Sequence, residues 1–428
     1  MAKQKPLEDA AASATLSSVL SRGRIRGRLA LLGPAFVASV AYVDPGNFAT
    51  NFQAGGAYGY LLVWVVVMAN LVAILVQYLT SKLGLRTGKS LPEICRDQYR
   101  PRWNALLWIQ AEVVAMATDL AEFTGAAVGL NMVFGIELLP AGLVTGVIAL
   151  GILALEKRGY RRFELVIIVL LAFVSFGFLA DFFAVGRQSY GDILNGLIPH
   201  FEGGGTINLA VGIIGATVMP HVVYLHSALQ SRRIRPADDL ERQVLLRFDR
   251  WDCVLGLGLA GLVNLSMLCI AAALFHRPGL TGINDLGQIH QHLFSLVGKE
   301  AALAFGIALI ASGLASASVG TYAGQIVMAG FMGWRIPLIL RRMLTMIPSL
   351  LVLGFSVNPT TALIFSQIVL SFGIPFALVP LVLITRRRDI MGDNVNGKWT
   401  TRLAWLISGV IVSLNVLLLC RVFGLPGI

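Results

Sequence analysis

The stretch Gly33-Pro34-Ala35-Phe36-Val37-Ala38-Ser39-Val40-Ala41-Tyr42-Val43-Asp44-Pro45-Gly46-Asn47-Phe48-Ala49-Thr50-Asn51 decides how the rest of the chain is read. A carboxylate, a proline, a glycine and an amide interrupt a run that is otherwise apolar enough to cross a membrane. Proline removes a backbone donor and clashes with the turn before it, and glycine lowers helix propensity by about 1 kcal/mol, so the helix is expected to unwind over Asp44 to Asn47. Unwound backbone at that depth persists only where it lines a buried or watery cavity. An aspartate in hydrocarbon costs about 2.5–3.5 kcal/mol on insertion scales, which marks it as part of a pathway or an ion site.

The same device recurs in Gly212-Ile213-Ile214-Gly215-Ala216-Thr217-Val218-Met219-Pro220-His221-Val222-Val223-Tyr224-Leu225-His226. Working outward from these two segments, the 428 residues are 56% hydrophobic and 13% charged, against roughly 45–50% and about 25% in a soluble domain. A water-soluble globule is excluded. Apolar runs long enough to span a bilayer are expected at 29–52, 58–81, 104–131, 138–155, 163–185, 206–229, 252–275, 298–330, 337–356, 359–385 and 403–425. The interrupted segments are the first and the sixth. Five spans separate their starts, so they run in opposite directions, as in a transporter built from two inverted five-helix halves with its site at the midplane. The expected organisation is a cytoplasmic tail over 1–28, a first repeat over 29–185, an inverted second repeat over 206–385 and an eleventh helix over 403–425.

Charge orients these spans. Of the 34 Lys and Arg residues, all but Arg187, Arg277, Lys299 and Arg421 fall on segments that are cytoplasmic if the N-terminus is inside and the C-terminus outside. The net charge of +11 is therefore a topology signal. It is spread over short loops instead of one surface, which argues against a nucleic-acid partner. Residues 1–28 lack the apolar core of a signal peptide and end in Arg22, Arg24, Arg26 and Arg28, a cytoplasmic anchor. Cys95, Cys253, Cys269 and Cys420 share no disulfide, redox or zinc spacing.

The donors at the two breaks indicate what is bound. Asp44 offers a hard anionic oxygen, Asn47 a neutral oxygen and Met219 a thioether, and unwinding frees carbonyls near Ala41 and Ala216. Calcium and magnesium want oxygen alone, whereas sulfur favours manganese(II), iron(II) and later ions. A methionine in an apolar span is ordinarily packing; its position beside Pro220, opposite Asp44, is what makes it a candidate.

Asp44-Pro45-Gly46-Asn47 and Met219-Pro220-His221 resemble the paired signatures of the Nramp family, proton-coupled divalent metal transporters that include bacterial manganese importers. The likeness extends from about Gly33 to the last span, through Glu112 to Phe123, Tyr224-Leu225-His226-Ser227 and Arg341-Arg342. It implies an all-α membrane protein of LeuT-type inverted-repeat fold plus an eleventh helix. The implied metal ligands are Asp44, Asn47, Met219 and the carbonyls of Ala41 and Ala216, with Gln367 joining in some conformations. Val222 stands where some members carry Asn. The implied location is the cytoplasmic membrane of a bacterium, and eleven spans fit the bacterial branch.

A proton route is expected beside the metal route. Glu112, Asp119 and Glu122 fall within about 80° of one another on one helix face. Facing lipid, they would be prohibitive, so the stripe turns inward with Arg341 and Arg342 as candidate counter-charges. Chains of this kind relay protons; a static ion-pair network is the alternative. His221 and His226 lie on faces about 140° apart. His221 is placed to pass or sense a proton, and His226 to do so or to serve as a satisfied core residue. His290 and His292 read as a solvated outer-loop pair.

Metal arriving at Asp44 is expected to displace any proton there toward Asp119 or His221 as access alternates across the membrane. The metal is substrate; no resident cofactor and no obligate protein partner is expected. A sodium-coupled amino-acid carrier of the same fold is the competing transporter, although Asp44 would repel its carboxylate. A magnesium transporter of a related branch is expected to lack Met219. A metal transporter without tight proton coupling, or a channel, also stays open. No His-Glu-x-x-His and no Gly-x-Ser-x-Gly is present, which argues against a membrane enzyme.

Overall fold

The computed structural model describes residues 16–422 apart from 22, 24–26, 28–29, 158, 187, 232, 235, 278–284, 335 and 356. Most of the tail over 1–28, including Arg22, Arg24, Arg26 and Arg28, lies outside the described residues, as do the last residues of the expected span 403–425. The described chain is nearly all helical. In order come α1 (Leu16–Leu20), α2 (Pro34–Ala41), α3 (Pro45–Tyr58), α4 (Val63–Thr87), α5 (Leu91–Gln98), α6 (Pro101–Phe134), α7 (Leu138–Lys157), α8 (Tyr160–Ala184) and α9 (Tyr190–Asn195). The second half has α10 (Gly203–Thr217), α11 (Pro220–Ser231), α12 (Asp239–Phe275), α13 (Leu286–Leu296), α14 (Lys299–Met332), α15 (Leu338–Gly354), α16 (Pro359–Thr385), α17 (Arg388–Met391) and α18 (Lys398–Val422).

Among the described residues, nine segments are long and apolar enough to cross a membrane, with α10 and α11 counted as one. The broken pair α2–α3 and the 17-residue α15 complete the expected eleven. Several boundaries differ from expectation, among them the start of α12 at Asp239 where 252 was expected. The first span continues to Tyr58 and the second begins at Val63, because Gly55 and Gly56, which read as a loop by hydropathy, are buried, Gly55 against α12. His290 and His292 lie on the short amphipathic helix α13 instead of in a loop, and burial pulls the His290 imidazole below its ordinary value.

Helices α7, α8, α15 and α18 leave large apolar side chains such as Val147, Phe176, Met343 and Leu406 exposed, the faces expected to meet lipid. The core lies inside them. There α6 and α14 run against each other along small residues, Gly313 packing on Ala126 and Gly129 on Ile310, the close approach that small residues permit between membrane helices. Phe48 and Phe52 hold α3 in an aromatic cluster: Phe48 meets Phe178 edge-on at 4.9 Å between ring centres, and Phe52 meets Phe305 at 5.2 Å. Such pairs contribute about 0.5–1.5 kcal/mol beyond the area they bury.

The N-terminus of α2 is capped from another helix. Asp252 of α12 accepts from the Gly33 amide at 2.8 Å and the Ala35 amide at 2.9 Å, satisfying donors that a helix start leaves open. The start of α3 is seated by α6, where a Cβ at Gly125 would overlap the Pro45 ring. Gly125→Ala is therefore expected to lower stability by about 1–3 kcal/mol. Gly151→Ala, with nothing within 4 Å of its added carbon, should not. Thermal unfolding of the detergent-solubilised protein separates the two.

Candidate metal site and proton route

Helix α2 ends at Ala41 and α3 starts at Pro45, so the non-helical residues are Tyr42, Val43 and Asp44. The expected unwinding at Asp44 to Asn47 is thus displaced toward the N-terminus. Proline is favoured at the first position of a helix and aspartate at its cap, and this sequence supplies both. Asp44 Oδ1 accepts from the Asn47 amide nitrogen and from Asn47 Nδ2, both at 2.8 Å. In the second break α10 ends at Thr217 and α11 starts at Pro220, leaving Val218 and Met219 outside both helices.

The two prolines explain the free carbonyls. In a continuous helix the Ala41 carbonyl would accept from residue 45 and the Ala216 carbonyl from residue 220, but both positions are proline and have no N–H. Asn47 Nδ2 reaches the Ala216 oxygen at 3.0 Å. Gln367 of α16 packs on Gly46 so closely that a Cβ there would overlap its amide, and its Nε2 stands 3.5 Å from Asp44 Oδ2. Asp44, Asn47, Met219, Ala41, Ala216 and Gln367 are all buried, and hydrogen bonds join Asp44, Asn47, Ala216 and Gln367 into one cluster. Asn47 Oδ1 and Gln367 Oε1, by contrast, have no donor. The amide nitrogens occupy the oxygens that a cation would take, and turning each amide over would present an oxygen instead.

Three residues that sequence reading left out hold this break open. Asn264 of α12 donates to the Tyr42 carbonyl at 2.8 Å and accepts from Asn51 at 3.1 Å. Ser312 of α14 donates to the Val43 carbonyl. Gln77 of α4 donates to Tyr42 Oη at 2.6 Å while its Oε1 accepts from His226 Nδ1 at 2.9 Å. Asn and Gln inside otherwise apolar spans were the available signal, since buried polar groups require partners.

The acidic stripe of α6 is divided by α15. Arg341 grips Glu112 with two bonds, at 2.7 and 3.2 Å, and Trp108 also donates to Glu112 at 3.1 Å. Arg342 meets Asp119 at 3.0 Å, donates to the Ala317 carbonyl and Thr321, and lies over the Phe123 ring at 4.2 Å. Glu122, one turn beyond Asp119, is wholly buried and neither of its oxygens has a donor. His221 Nδ1 lies 3.2 Å from Thr118, whose hydroxyl already donates to the Val114 carbonyl. The imidazole therefore donates through Nδ1, and its Nε2 is left without a partner. His221 thus connects the second break to the helix carrying Asp119. His226 points to another network, that of Gln77 and Tyr42, so the two histidines serve different neighbours.

The sequence profile of the Nramp family, described as natural resistance-associated macrophage protein-like, matches residues 35–421. The chain belongs to the Nramp family. It is 48% identical over 400 residues to the divalent metal cation transporter MntH of Bacillus subtilis (strain 168), across 93% of each chain. A crystal structure of the Eremococcus coleocola manganese transporter, in complex with an aromatic bis-isothiourea substituted compound, matches with a TM-score of 0.84 at 30% identity. That match covers 95% of this chain and 90% of the other. Mhp1, a nucleobase-cation-symport-1 family transporter in a closed conformation, matches at a TM-score of 0.61 and 13% identity over 90% of each chain, a likeness of fold alone. The Nramp chain is thus an all-α, multi-pass membrane protein of LeuT-type fold, and its relatives are transporters, not enzymes.

Stripping one partner from a buried ion pair strands the other, at a cost of about 3–5 kcal/mol. Arg342→Ala is expected to show a loss of that size in thermal unfolding. Adding Asp119→Asn should recover part of it, because the stranded charge is then gone. Arg341→Ala should cost less, since Glu112 keeps a 19% exposed side chain and the Trp108 donor.

Proposed function

We propose that this chain imports divalent transition ions, manganese(II) and also iron(II), by proton-coupled alternating access through a midplane site between the two broken helices. The observation that carries this reading is the hydrogen-bonded cluster of an aspartate, two amides and a freed alanine carbonyl at two breaks in helical bonding, with Met219 buried in the second break. An ion held there by Asp44, Asn47, Met219, Gln367 and the carbonyls of Ala41 and Ala216 has oxygens for a hard cation and one sulfur that calcium and magnesium do not seek. The names of the relatives, a divalent metal cation transporter and a manganese transporter, support the same substrate class. The ion is cargo, and the reading requires no resident cofactor and no obligate partner protein.

Protons use α6. Glu112 and Asp119 are held by Arg341 and Arg342, whereas Glu122 can take or give a proton without breaking an ion pair. His221, bonded to Thr118 beside Asp119 and two residues from Met219, lies between the metal site and that stripe. The approach of a dication to Asp44 disfavours a proton on the same carboxylate, and His221, Glu122 and Asp119 offer it a way on, with Arg341 and Arg342 fixing the surrounding charges and His226 held by Gln77 at the first break. The distribution of Lys and Arg supports a bacterial cytoplasmic membrane with the N-terminus inside and the C-terminus outside.

Proteoliposomes carrying the purified protein test the coupling: manganese entry should acidify the lumen, and entry without proton movement would overturn the proton route. Asp44→Ala should abolish uptake while leaving the protein inserted and folded. Met219→Ala should weaken discrimination against calcium more than it weakens manganese uptake; unchanged selectivity would remove the role assigned to the sulfur.

A further inference from the structure

The cysteines show no metal spacing along the sequence, yet folding carries Cys253 into a mixed donor cluster. His226 of α11 and Asp249 and Cys253 of α12 are all buried. One imidazole nitrogen, one carboxylate oxygen and the Cys253 Sγ lie within 4.8 Å of one another. Asp249 and Cys253 are four residues apart on one helix and so share a face.

Two of these groups keep a lone pair that no donor meets. Because Gln77 Oε1 accepts from His226 Nδ1, the imidazole lone pair is on Nε2, and Nε2 has no partner. Asp249 Oδ1 accepts from Ser81 and, at 2.7 Å, from Gln230, while Oδ2 has no donor. Leaving a buried polar group unmet costs about 1–3 kcal/mol, so two such atoms on residues of one cluster with a thiol point to something that fills them. A cavity of about 10 Å³, lined by Gln230, Arg233, Phe248 and Asp249 among others, adjoins the carboxylate. Arg233, the cation on that wall, is engaged by Glu164 at 3.5 Å and by the Ala30 and Leu32 carbonyls.

We propose that His226, Asp249 and Cys253 form a second divalent cation site, separate from the transport site, that takes thiophilic ions of the zinc(II) and cadmium(II) class. His226 follows Met219 by seven residues, which places the cluster about 10 Å along the chain's helical rise from the break. Imidazole, carboxylate and thiolate are zinc-type donors, whereas manganese(II) is better served by oxygen. Donors bonded to one such ion at about 2.0–2.3 Å stand roughly 3.5 Å apart, close to the spacing these atoms already have within 4.8 Å of one another. The Cys253 thiol proton leaves to solvent as the sulfur–metal bond forms, and no oxidation state changes. Gln77 on the histidine, with Ser81 and Gln230 on the aspartate, supplies the outer hydrogen bonds that orient metal ligands. Because Gln77 also holds Tyr42 at the end of the first break, an ion here ties the contacts beneath α2 together.

Cadmium titration of the purified full-length protein tests this, read by thiolate-to-cadmium charge-transfer absorption, which the thioether of Met219 does not produce. The band is expected to saturate at one equivalent, to vanish in Cys253→Ser and to persist in Cys95→Ser and Cys269→Ser. It should also persist in Asp44→Ala and in excess manganese. Asp249→Asn should weaken cadmium binding by about tenfold or more. The proposal is overturned if the natively folded protein gives no band, if the band survives Cys253→Ser, or if Asp44→Ala or excess manganese removes it, which would assign the cadmium to the transport site. Thermal unfolding followed in parallel verifies that Cys253→Ser, a single-atom change, is folded. A protein that shows the band but does not move manganese would overturn the transport reading and leave this site standing.

Discussion

Two prolines placed four residues after an alanine, each in the middle of a span, remove the donors that the Ala41 and Ala216 carbonyls would otherwise meet. In water such a loss is repaired by solvent; in hydrocarbon it is not. The remainder of the molecule is arranged around that constraint. Asp44 caps the helix that restarts at Pro45, Asn47 bridges Asp44 to the Ala216 carbonyl, and Asn264 and Ser312 attend to the carbonyls of Tyr42 and Val43. What membrane burial forces to be satisfied, the fold satisfies with groups that a cation can also use. The two amide oxygens left without donors belong to the residues whose nitrogens are engaged there.

On α6 two of the three acids are each met by a cation from α15. Arg341 and Arg342 are adjacent in sequence, yet they reach different turns of α6, because the acids they meet are seven residues apart and α15 crosses that face. Glu122 is left outside this pairing and is enclosed against the small residues of α14. Two of the three acids on this helix are thus held in ion pairs, and the third has no hydrogen-bond donor. His221, through Thr118, ties this helix to the second break.

The breaks, the acidic stripe and the two arginines were legible because each violates the composition of its surroundings: a polar residue in an apolar span is conspicuous. The position of the first break was off by two residues, since hydropathy registers where polar atoms lie and does not register that a proline prefers to begin a helix. Gln77, Asn264 and Ser312 were passed over because a single amide or hydroxyl in a span has no partner visible along the chain. Ser312 in particular sits in a small-residue stripe whose packing role is genuine, and its bond to Val43 is an additional one. His226, read as either relay or core, is bonded to Gln77, and Cys253, which has no metal spacing in sequence, stands beside it.

By itself the sequence determined the all-helical membrane class, the count of spans, the paired interruptions and the family, since hydropathy, proline chemistry and contiguous motifs are local properties that survive without coordinates. Tertiary structure alone decided which carbonyls are met and by whom, which acid is left without a cation, and that a histidine, an aspartate and a cysteine converge away from the breaks. The reason is physical: these outcomes depend on contacts between helices far apart in the chain, where helix crossing and packing, not spacing along the backbone, set which polar groups meet.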